Sequence, residues 1–120
     1  MLGDLKHADA PRCGLSEAVA SVRSRLAASG WEWCAVVNYE GVVLGRLRSD
    51  RLADASGSAE SVMEPGPSTY RPNVPVQEMA ERLRKVQAEL AFVTDPDGRF
   101  LGTARRPEIE AAARSLKAAG

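Results

Sequence analysis

Val36-Val37-Asn38-Tyr39-Glu40-Gly41-Val42-Val43-Leu44-Gly45-Arg46-Leu47-Arg48 and Val93-Thr94-Asp95-Pro96-Asp97-Gly98-Arg99-Phe100-Leu101-Gly102-Thr103-Ala104-Arg105 carry one pattern twice. Each runs from apolar residues through an acidic-Gly turn into a second apolar run and a further glycine. Gly41 and Gly98 lie 57 positions apart, and so do Gly45 and Gly102. An offset shared by four successive features marks an internal duplication. Asp97-Gly98 is the strongest local signal, because glycine accepts the positive φ of a tight hairpin turn.

Outward from the hairpins, the apolar spacing turns helical. Leu15, Ala18, Val19, Val22 and Leu26 form one stripe of a predicted helix over 15–29, closed by Gly30, with Glu17, Arg23 and Arg25 pointing elsewhere. In the second half Val76, Met79, Ala80, Leu83 and Val86 share a face, and Pro75 stands where a first-turn proline is tolerated. Pairing Leu15 with Val76 and Val22 with Leu83 gives an offset of 61, which predicts a longer helix-to-strand connection in the first half, around Gly30-Trp31-Glu32-Trp33. Strands are expected at Cys34–Val37 and Leu90–Val93, then at Val42–Leu44 and Phe100–Leu101. A closing helix follows in the second half, with Pro107 near its start and Ile109, Ala112, Ala113 and Leu116 on one face; a shorter counterpart is expected over 49–55. Residues 56–68 read as a turn-rich connector. Thr69-Tyr70-Arg71 is extended, with Ala10-Pro11-Arg12-Cys13 in the equivalent place. The fold class is α/β (α+β): a strand-helix-strand-strand-helix unit used twice.

A chain of 120 residues with 44% apolar content buries one core, and half of it would stand poorly alone. Sixteen basic residues balance sixteen acidic ones without long like-charge runs, which argues against nucleic acid. No apolar run is long enough for membrane insertion, and Asp4, Lys6, His7 and Asp9 interrupt any secretion signal, so a cytoplasmic protein is expected. Cys13 and Cys34 lack zinc-site spacing and read as reduced core thiols; no metal site is expected. His7, the single histidine, falls on an N-terminus expected to be mobile and has no nucleophile motif around it. No catalytic residue is assigned, and the chain reads as a non-enzyme.

The order of elements resembles the cystathionine-β-synthase (CBS) domain, which works as a tandem pair. The resemblance rests on Val62-Met63-Glu64-Pro65-Gly66-Pro67-Ser68-Thr69-Tyr70-Arg71-Pro72-Asn73-Val74-Pro75-Val76, similar to the family's lead-in to a repeat, and on the Phe92-Val93-Thr94-Asp95, Asp97-Gly98 and Leu101-Gly102 hairpin. It implies one Bateman-type, stand-alone module over 1–120, with a first repeat at 8–56, a connector at 57–68 and a second repeat at 69–117. It also implies pseudosymmetry, pairing of modules into a homodimer, and regulatory binding of AMP, ADP, ATP, NAD or S-adenosylmethionine in a cleft between repeats, with no cofactor required.

In the family, a hydroxyl residue three positions after the last-strand glycine and an aspartate six after it hold the phosphate end and the ribose, whose diol offers two donors to a carboxylate. After Gly45 those places give Arg48 and, at five rather than six, Asp50; after Gly102 they give Arg105 and Glu108. Arg48, Arg105 and Arg106 suit phosphate oxygens, which favours an anionic ligand. The resemblance also places Thr69 and Tyr70 at the nucleotide. The same residues have plainer readings: Asp50 and Glu108 as helix-start acids, the arginines as solvated charges, Thr69 as a turn cap. Trp31 and Trp33 would face one side of an extended segment, as a core edge or as a partner surface. The expected function is a ligand-sensing module that signals to an unknown effector protein. The alternative is a structural dimerisation module with non-binding clefts.

Overall fold

The structure is a computed structural model and describes residues 1–119. They form two compact units, one of residues 9–67 and 97–100, the other of residues 1–8, 68–96 and 101–119. Each unit thus takes in a lead-in segment that precedes the other repeat along the chain.

The first unit contains β1 (Arg12–Gly14), α1 (Val19–Ser29), β2 (Trp33–Val37), β3 (Val43–Arg48), α2 (Ala59–Val62) and β4 (Glu64–Pro65). Its sheet runs in the order β1-β2-β3-β4, with β1 parallel to β2 and the other pairs antiparallel. A register shift interrupts β2 between Val36 and Val37. Helix α1 buries Val19, Val22 and Leu26 on one face and stops at Gly30, whose φ of 75° is the left-handed conformation that glycine adopts without strain. Those side chains close over Cys13, Cys34, Val36 and Leu47 from the sheet.

The second unit contains β5 (Thr69–Tyr70), α3 (Val76–Val86), β6 (Leu90–Thr94), β7 (Phe100–Arg105) and α4 (Arg106–Ala119), with sheet order β5-β6-β7 and β5 parallel to β6. Met79, Leu83, Ala91, Val93, Ala104 and Ile109 form its core. Leu2 joins them, fully buried.

The duplication is stricter than the apolar spacing suggests. Helices α1 and α3, strands β2 and β6, and strands β3 and β7 all begin and end 57 positions apart. The offset of 61 is therefore wrong, and both helix-to-strand connections have three residues, 30–32 and 87–89. Leu15 caused the error: it lies before the helix and packs on the core from a loop, where its carbonyl accepts from Glu60 N at 2.9 Å. An apolar loop residue in phase with the stripe adds a false turn.

Other expectations change too. The helix expected over 49–55 is a single 3₁₀ turn, Ser49–Arg51. Leu52 beyond it is buried, and Arg23 holds the segment by donating to the carbonyls of Leu52 and Ala55, both at 2.8 Å. Val86 and Leu116, expected on core faces, are 61% and 53% exposed. The connector contains α2 and β4. Trp31 packs on the core of the first unit, and Trp33 lies in β2 under two guanidinium groups.

The N-terminus is docked, not mobile. Leu2 N donates to Val74 O at 2.8 Å and Gly3 N to Pro72 O at 2.9 Å, while His7 and Thr103 exchange backbone bonds of 2.8 and 3.2 Å.

Candidate functional site

The sequence places its best ligand candidates where β7 runs directly into α4. Gly102 there has φ 155°, and a Cβ on it would meet His7 O at 2.6 Å. The close approach of the lead-in backbone therefore requires glycine. Pro107 suits the first turn of α4, where its missing N–H leaves no bond unmade. That turn carries Glu108, six positions after Gly102.

The Glu108 carboxylate is already engaged. His7 Nε2 lies 3.0 Å from Oε1 and 2.9 Å from Oε2, so the ring nitrogen bridges both oxygens, and Arg105 Nη1 stands 3.9 Å from Oε1. All three side chains are about one-third to two-fifths exposed, so the cluster is open to solvent. Arg106 turns along the helix, its Nε 3.4 Å from Glu110 Oε1. Thr69 and Tyr70 are half-buried in β5 of the same sheet, opposite Phe92 and Val93. Tyr70 packs on the core, with the Arg82 guanidinium 5.7 Å from its ring centre. Arg71 donates to the buried Thr94 hydroxyl at 2.6 Å.

The first unit holds Arg48 and Asp50 together, 3.5 Å apart, in a different setting. Trp33 lies beneath Arg46 at 4.2 Å and Arg48 at 5.5 Å, and Arg46 also donates to Glu64 at 2.7 Å. Cation–π stacking and ion pairing thus hold both arginines. The sixth position after Gly45 is Arg51, which cannot accept from a diol. A Cβ on Gly45 would meet the Met63 side chain, so a thioether fills the space above this glycine.

Three further polar groups are structural. Arg25 bonds the Glu17 carboxylate and Gly14 N donates to it, which together hold Glu17 below the usual carboxylate range. Cys13 and Cys34 are buried and unbridged. Hydrogen bonding to Cys13 and burial push the Cys34 thiol far up, which makes it a poor nucleophile. Among the described residues no three His, Cys, Asp or Glu side chains gather to hold a metal.

His7 is the site residue that the sequence reading missed. The signal was present: extended toward the N-terminus, the 57-residue offset sets His7 opposite Glu64, and both pair with the strand after a repeat's glycine. The junction presents a carboxylate acceptor beside an imidazole and a guanidinium, a chemistry suited to a ligand carrying both a diol and an anionic group.

The chain matches no protein-family model and no curated protein. It is similar in structure to the CBS domains of a transcriptional regulator from Streptococcus pneumoniae, with TM-score 0.85, 15% identity, and coverage of 92% of this chain and 96% of that one. CBSX2 in complex with AMP gives TM-score 0.84 at 18% identity, covering 97% of both chains. The CBS domain pair of protein MJ0100, in complex with 5′-methylthioadenosine and S-adenosyl-L-methionine, gives TM-score 0.82 at 17% identity, again covering 97% of each. With its helix-strand-strand core duplicated at one offset and these likenesses along nearly its whole length, the chain has the fold of a tandem CBS domain pair.

Proposed function

We propose that this protein is a regulatory module that senses an adenosyl nucleotide or a related anionic ligand and passes the signal to a partner protein. The observation that carries the reading is the β7–α4 junction: Glu108 stands six residues after Gly102, half-exposed and flanked by Arg105. Similar folds bound to AMP and to S-adenosyl-L-methionine support it. Glu108 accepts from the ribose, Arg105 faces the phosphate, and Thr69 and Tyr70 border the ligand. Arg48 and Asp50 form a second, weaker position.

The module acts as a sensor rather than a catalyst, in the cytoplasm, with no cofactor required. A ligand shifts its state only by binding one conformation better, and a tenfold preference supplies about 1.4 kcal/mol. Thermal unfolding with AMP, ATP, NAD and S-adenosylmethionine tests the reading. A ligand at about 100 times its Kd adds about 2.7 kcal/mol and raises Tm by several degrees. No shift with any of them at millimolar concentration sinks it.

A second reading, a dimerising module that binds no nucleotide, is favoured by the exposed Val86 and Leu116 and by polar groups already engaged at Arg48–Asp50 and His7–Glu108. Light scattering tests the second reading, which requires a dimer at micromolar concentration without nucleotide; a monomer counts against it.

A further inference from the structure

His7 lies on a lead-in strand whose position does not depend on its side chain. Leu2 anchors the segment in the core of its unit, Leu2 N and Gly3 N bond to Val74 O and Pro72 O, and His7 and Thr103 are joined through their backbones. The other repeat shows that this backbone pairing needs no imidazole. There the same pairing joins Glu64 to Arg46, and the side-chain contact is an ordinary ion pair between those two residues. The bond from His7 Nε2 to both oxygens of Glu108 is therefore an addition peculiar to this junction.

A carboxylate holding two ribose hydroxyls accepts one hydrogen bond at each oxygen. Here a single ring nitrogen faces both oxygens at 2.9 and 3.0 Å, in the space where those donors would approach. Arg105 Nη1 stands 3.9 Å from Oε1.

We propose that His7 is an affinity-setting residue of the ligand position and competes with the ligand for Glu108. Binding swings the imidazole off the carboxylate while the lead-in backbone stays paired with Thr103. This inference rests on the nucleotide reading above, and it makes the lead-in segment part of the site.

The test is calorimetric titration of the full chain with AMP, comparing wild type with His7→Ala, His7→Gln and the double variant His7→Ala/Glu108→Ala. Loss of a charge-assisted hydrogen bond to the competitor should tighten AMP binding roughly tenfold in His7→Ala. His7→Gln keeps an N–H donor on a folded chain and should stay nearer to wild type, and the double variant should lose the gain. In wild type, the ¹⁵N resonances of the His7 ring should shift as AMP is added. Equal AMP affinity in wild type and His7→Ala overturns the competition and leaves the nucleotide reading standing. So does a gain that survives Glu108→Ala. Absence of binding by AMP, ATP, NAD and S-adenosylmethionine in every protein overturns both.

Discussion

Glu17 shows how much a single polar residue contributes before any ligand is considered. It lies in the loop between β1 and α1, where its carboxylate takes the Gly14 N–H at 2.6 Å and the Arg25 guanidinium. The Arg25 bond is the larger reason that its carboxyl is held below the usual value. A carboxyl depressed on folding stabilises fully above its unfolded pKa, and that contribution disappears as pH falls through the lower, folded value. Both side chains are about a third or more exposed, so solvent limits the pair to about 1 kcal/mol or less. Glu17→Gln should therefore lower stability at neutral pH by that amount and flatten the acid limb of a urea-unfolding series. An unchanged acid limb would remove Glu17 from the account. Sequence alone set Glu17 on the outer face of a helix, since a loop residue that bonds a backbone N–H has no periodic signature. The candidates Arg105 and Glu108 are legible because they follow a glycine at fixed counts, whereas His7, about a hundred residues away, is marked only by the 57-residue offset that sets it opposite Glu64.

Among the elements, the helix ends expose a difference between the repeats. α1 ends on Gly30 with φ 75°, and α3 ends at the equivalent place on Gln87 with φ 56° and ψ 38°. The backbone bonds that close α3, from Gln87 N to Arg84 O and from Ala88 N to Leu83 O, need the left-handed conformation whichever residue supplies it. A side chain there costs about 1 kcal/mol or more. Gln87→Gly should relieve most of that strain, offset in part by glycine's freedom in the unfolded chain, and raise Tm by a few degrees. Scanning calorimetry reads this directly, and a lower Tm would show that the Gln87 side chain contributes more than its backbone strain removes. This position also explains a misreading. Gly30 announces the end of α1, but α3 carries no such mark, so apolar spacing alone sets the two helices four positions out of register through Leu15. The hairpins, framed by glycines in both copies, suffered no such slip.

At the scale of the molecule, the duplication and the compact units follow different cuts. The 57-residue offset divides the chain in sequence order, whereas residues 1–8 belong with 68–96 and 101–119. Sequence could show the repeat but not this exchange of lead-in segments, because Met1-Leu2-Gly3-Asp4-Leu5 has too few apolar positions to display a period. What attaches the segment is mostly Leu2, fully buried beside Met79, Leu83 and Ile109. Leu2→Ala leaves the backbone bonds to Val74 and Pro72 available but opens a cavity, which costs about 2–5 kcal/mol for a buried leucine. The loss should be local. Hydrogen exchange should quicken first in α3, β6 and α4, while amides of β2 and β3, in a core that Leu2 does not enter, keep their protection longer. If protection instead falls equally throughout, the units unfold as one, and the lead-in segment stabilises the pair rather than the second repeat alone. If α1 and β2 loosen first, the segment does not belong where its buried leucine puts it. The same variant also bears on His7, since a lead-in strand that frays would carry the imidazole away from Glu108 and free the carboxylate without any change at residue 7.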